Sequence, residues 1–69
     1  MERYRVDSSN VASIGYDQTT TTLEVEFNNG SIYQYFDVPE AIFQDFINAP
    51  SKGKYLATIK GSFRYAKVA

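Results

Sequence analysis

The sequence predicts a small α+β domain: a three-stranded antiparallel meander, extended by a fourth strand at the C-terminus, with two helices on one face. Three observations carry this. Residues 22–27 alternate strictly, Leu23, Val25 and Phe27 against Thr22, Glu24 and Glu26, which is the period of a half-buried strand. Asn28-Asn29-Gly30 follows at once, a hairpin signal because Asn and Gly tolerate positive φ. After Pro39 the apolar spacing lengthens to that of a helix, with Ile42, Phe43, Phe46 and Ile47 on one stripe.

The elements follow in order. Residues 1–10 are polar apart from a few isolated apolar side chains such as Tyr4 and Val6, and Asp7-Ser8-Ser9-Asn10 reads as a turn, leaving residues 1–8 as a frayed lead-in. Residues 11–16 fit a strand, because Ala12, Ile14 and Tyr16 alternate with Val11, Ser13 and Gly15. Residues 17–21 are a polar connection, and residues 32–38, rich in aromatic and β-branched side chains, form the return strand after the hairpin.

The hairpin permits two registers, and a shift of one residue moves every side chain to the opposite face. A two-residue Asn29-Gly30 turn pairs Phe27 with Ile32 and turns Tyr33 and Tyr35 toward the glutamates. A three-residue loop with Gly30 left-handed pairs Val25 with Tyr33 and Leu23 with Tyr35. The second is favoured, since it gathers the tyrosines with Leu23, Val25 and Phe27 and leaves Gln34 facing water.

Pro39 suits a first helical turn and Glu40 the positive end of the helix dipole, so residues 39–48 read as an amphipathic helix. Pro50 breaks it. Ser51 then caps a second helix through about Lys60, with Tyr55, Leu56 and Ile59 on one side and Gly61 placed to end it. Residues 63–68 alternate again, as a last strand or an extended tail.

Composition limits the chemistry. At 69 residues there is one core and one domain, residues 1–69, made viable by 16% aromatic content. Cys and His are both absent, so disulfides, thiolate metal sites and imidazole general bases are excluded; no cofactor, metal or catalytic residue is expected. Glu24 and Glu26 share a strand face, but on a solvated face nothing raises either pKa, and Ser8, Ser9 and Ser13 have no visible activating base. No apolar run is long enough for a membrane span, which sets the expectation of a cytoplasmic protein, with the monomer favoured.

The formal charge of −1 argues against strong non-specific attraction to nucleic acid, but its distribution is uneven. Residues 1–45 hold all eight acids against Arg3 and Arg5, a formal −6, whereas residues 46–69 hold Lys52, Lys54, Lys60, Arg64 and Lys67 and no acid, a formal +5. Either the halves fold together and their charges complement, or a basic face is reserved for an anionic partner.

Four segments then resemble a known family in order and spacing: Ser13-Ile14-Gly15-Tyr16-Asp17, Leu23-Glu24-Val25-Glu26-Phe27, Tyr33-Gln34-Tyr35-Phe36-Asp37-Val38-Pro39 and Ala49-Pro50-Ser51-Lys52-Gly53-Lys54-Tyr55. Together they are similar to the KTSC domain, whose hallmark Tyr-x-Tyr is matched by Tyr33 and Tyr35. The resemblance implies a small domain found at the C-terminus of some lysyl-tRNA synthetases and as stand-alone bacterial or phage proteins, with RNA binding suggested by that setting. This chain is less basic over residues 56–67 than the family pattern.

Three candidate sites follow. Ser51-Lys52-Gly53-Lys54 joins a helix N-terminus to two lysines, a spot suited to an anion, although the upstream glycine of a phosphate loop is missing. Tyr33 and Tyr35 are either a base-stacking platform or core residues. Lys60, Phe63, Arg64, Tyr65 and Lys67 interleave aromatic and basic side chains, as a single-strand groove does and as a plain terminal strand also does. The leading expectation is an RNA-binding module docking through these lysines and Arg64, with Tyr55 or Tyr65 stacking; the alternative is a protein-interaction domain with no nucleic-acid role.

Overall fold

A computed structural model describes all 69 residues. In chain order the elements are β1 (Arg3–Arg5), β2 (Val11–Asp17), β3 (Thr22–Phe27), β4 (Ile32–Tyr35), α1 (Glu40–Asn48), α2 (Lys52–Ser62) and β5 (Tyr65–Lys67). The five strands form one antiparallel sheet in the order β1-β2-β3-β4-β5. The α+β class stands, but the sheet has five strands rather than three or four.

The added strand is β1, in the stretch read from sequence as a frayed lead-in. It pairs Arg3 with Gly15, Tyr4 with Ile14 and Arg5 with Ser13. Three residues are too few to display a period, so its strand character comes from the partner, not from its own pattern. At the other edge β5 pairs Tyr33 with Lys67 and Tyr35 with Tyr65.

The β3–β4 hairpin takes the second register, with Val25 opposite Tyr33 and Leu23 opposite Tyr35. Gly30 sits at φ +92°, a conformation that L side chains rarely adopt. The Gly30 N–H donates to the Phe27 carbonyl at 2.9 Å and closes the loop. β4 ends at Tyr35, short of the expected residue 38, because Asp37 turns the chain at φ +57°.

This register sends Ile14, Leu23, Val25 and Tyr35 toward the helices, where Phe43 and Phe46 of α1 and Leu56 and Ile59 of α2 complete the core. The α1 stripe is the expected one. Pro39 stands just before the helix as its cap rather than inside it. Ser51 caps α2, its hydroxyl accepting from the Lys54 N–H at 3.3 Å. Gly61 does not end α2, which continues through it to Ser62 and is capped at Phe63. No helix is long and apolar enough to cross a membrane.

The face of the sheet away from the helices is not simply solvated. Glu24 is only 8% exposed, although no element covers it. Arg3, Gly15, Glu24 and Gln34 lie in one cross-strand row, and Arg3 reaches over Gly15 to pair with Glu24 at 2.5 Å. Gln34, expected to face water, donates to the other Glu24 oxygen at 2.9 Å. Burial alone would raise the Glu24 carboxyl, but the bonds from Gln34 and Arg3 and the guanidinium charge outweigh it and hold the pKa below the usual value. Glu24 is thus held ionised inside a structural network rather than offered as half of a catalytic pair.

Candidate functional site

The β3–β4 hairpin, β5 and α2 enclose a groove of about 620 Å³ on the helix side of the sheet. Its floor and one wall are aromatic: Phe27, Tyr33, Tyr35 and Tyr65. The rings meet in one cluster, Phe27 edge-on to Tyr33 at 5.5 Å and Tyr65 tilted against both Tyr33 at 5.9 Å and Tyr35 at 5.7 Å. Polar side chains of the turns, Ser9, Asn10, Asn28, Asn29 and Ser31, form the opposite rim, and Gly53, Leu56 and Lys60 of α2 close it. No carboxylate lines the groove.

The three tyrosines differ in access. Tyr35 is 1% exposed, so it belongs to the core, and burial pushes its phenol above the ordinary value. Tyr33 is half-buried. Tyr65 is 57% exposed and presents the free ring. The register of β4 and β5 is what assembles them, since Tyr35 faces Tyr65 across the ladder.

The remaining candidate residues separate into two groups. Lys60 belongs to the groove, its ammonium 5.6 Å from the centre of the Phe27 ring. Lys67 lies directly across the ladder from Tyr33 and therefore on the same side of the sheet. Ser51, Lys52, Gly53 and Lys54 line an adjoining polar depression, which shares Ser9, Asn10 and Gly53 with the groove but also contains Asp7. Lys52 is committed there, its ammonium donating to the Ala49 carbonyl at 2.6 Å.

Two residues stand apart. Arg64 pairs with Asp37 at 2.7 Å, an acid from the first half of the chain, and leans toward the Phe36 ring. Tyr55 stacks on Phe46 at 5.7 Å in the helix interface and does not line the groove. The basic residues of the last third thus do not form one uniform surface: Arg64 is neutralised, and Lys54, Lys60 and Lys67 are without ion pairs.

Sequence reasoning missed the amide rim, because Asn10, Asn28 and Asn29 were read only as turn residues. The hairpin register, once chosen, already put the loop tip beside the tyrosines and was the available signal.

Among the sequence serines, Ser8 accepts backbone N–H groups of Asn10 and Val11, and Ser13 donates to Glu26 at 2.8 Å. These hydroxyls hold the turn and the outer face.

Comparison with known proteins gives a consistent answer. Residues 7–63 match the model of the KTSC domain. A lysine–tRNA ligase of Nostoc punctiforme is 41% identical over 63 residues, 90% of this chain and 11% of the ligase. The chain therefore spans about a tenth of the length of those curated relatives. An uncharacterized protein of Stutzerimonas stutzeri is 40% identical over 80% of this chain and 78% of its own length. The crystal structure of a KTSC domain protein from Yersinia pestis superposes with a TM-score of 0.92 at 43% identity, covering 99% of this chain and 97% of that one.

Proposed function

Taking as premise that the chain belongs to the KTSC domain family, we propose that it is a non-catalytic module that binds single-stranded RNA in the aromatic groove. The observation that carries the reading is that the exposed Tyr65 ring and Lys60 line one groove that holds no carboxylate. A base stacked on an aromatic ring contributes about 1–3 kcal/mol, and every base has a face to stack. Lys60 and Lys67 supply positive charge where the strand's backbone would lie, and the neighbouring amides supply hydrogen-bonding groups for a base edge. The presence of similar sequences within lysine–tRNA ligases supports a ligand of this class.

Titration of the labelled domain with a short single-stranded RNA tests the reading by amide chemical shifts. Shifts are expected at Asn10, Asn28, Asn29, Lys60 and Tyr65, with saturation weakened by added salt. Unchanged spectra at the highest RNA concentration, or shifts confined to β1 and α1, would remove it.

A second reading rests on a different feature. All three residues of β5 are exposed at the sheet edge, open to pairing by a partner strand. A stoichiometric protein partner that survives nuclease treatment and is lost on Ala66→Pro would favour it.

A further inference from the structure

We infer that the groove accommodates one nucleotide unit, a single base against Tyr65 with one flanking phosphate at Lys60, rather than a tract of bases. This rests on the RNA reading and narrows it. Proteins that follow a strand offer successive bases successive platforms. Here the rings converge instead: Tyr65 touches both Tyr33 and Tyr35, and Tyr33 in turn is met edge-on by Phe27. Tyr35 is closed off and Phe27 and Tyr33 are half-buried, so Tyr65 alone offers an open face.

The surroundings point the same way. The adjoining depression at the start of α2 contains no aromatic ring, so a second base finds nothing to stack on there; of its two lysines Lys52 is already engaged with the Ala49 carbonyl, and the Asp7 carboxylate offsets part of their charge. The groove's volume of about 620 Å³ falls within the roughly 300–1,000 Å³ of small-ligand sites, a scale for one nucleotide. Its lining holds one cation, Lys60, whose ammonium lies over the Phe27 ring and so leaves the open Tyr65 face to the base.

The test compares four probes by fluorescence anisotropy or chemical shift: a short single-stranded RNA, the same backbone with every nucleotide but one abasic, the fully abasic backbone, and inorganic phosphate. The single-base strand should match the full strand to within about twofold once the number of available registers is divided out, and the fully abasic strand and phosphate should bind roughly tenfold or more weakly. The slope of log affinity against log salt should lie near 0.7, the value for one phosphate of a single strand, and reach about 1.4 if Lys67 shares a second. Tyr65→Ala, at an exposed edge position, should abolish the difference between the single-base and abasic strands while the amide shifts of residues outside β5 and its neighbours stay in place.

If affinity for the full strand rises with contiguous bases beyond the count of registers, or the slope reports several phosphates, the one-nucleotide inference fails while RNA binding stands. If no strand binds, both fail.

Discussion

Gly15 is a glycine for a reason of space rather than of backbone conformation. A methyl group there would collide with the Glu2 carbonyl and approach the Arg3 Cγ to 2.8 Å, so the bare position is what lets β1 lie close and Arg3 cross to Glu24. Gly15→Ala should therefore displace β1 and leave Glu24 short of a partner, costing about 1–3 kcal/mol in urea denaturation. The same network gives a pH dependence. Glu24 is held below its unfolded value, so its contribution is complete above the unfolded pKa and is lost as pH falls through the folded one. Stability measured by denaturation between neutral pH and pH about 3 should fall in the wild type and fall less steeply in Glu24→Gln, which no longer titrates. Equal acid slopes in both proteins would show that other carboxylates carry the dependence.

At the scale of elements, α2 is set by its ends. The Ser51 hydroxyl satisfies the Lys54 N–H, so Ser51→Ala should lower stability by about 0.5–2 kcal/mol. Gly61 lies within the helix with open space where a side chain would go, so Gly61→Ala should raise it by about 0.5–1 kcal/mol, both variants being read by urea denaturation. The sequence reading of Gly61 as a stop would have the opposite sign, which makes this substitution a direct comparison of the two assignments. What was legible at this scale has a common cause. β3, the Gly30 loop and α1 declare themselves locally, through a period or a required φ. β1 has neither, and the burial of Glu24 depends on β1, so both were invisible for one reason. The tyrosines were legible only conditionally, because their face follows from a register that local turn chemistry left two ways to satisfy.

For the whole molecule, the division into an acidic first part and a basic last part resolves into pairings rather than poles. Arg3 returns to Glu24 within the acidic stretch, and Arg64 of the basic stretch crosses to Asp37. The charge pattern in the sequence was therefore accurate as a count and incomplete as a map, since neutralisation depends on which loops the fold brings together. This ordering predicts unequal roles for two residues that the sequence treats alike. Both partners of the Arg64–Asp37 bridge are about three-quarters exposed, 76% and 75%, so the pair is worth roughly 0–1 kcal/mol. Arg64→Ala should leave the melting temperature nearly unchanged and alter RNA affinity by less than about twofold, since its charge is already offset. Lys60→Ala, also on the surface and equally harmless to folding, removes the one cation of the groove lining and should weaken RNA binding several-fold while flattening its salt dependence by about one phosphate. Parallel titrations of the two variants at two ionic strengths separate the cases. Equal losses would mean that the ligand senses the summed charge of the last third, and the groove would then have no special part in recognition.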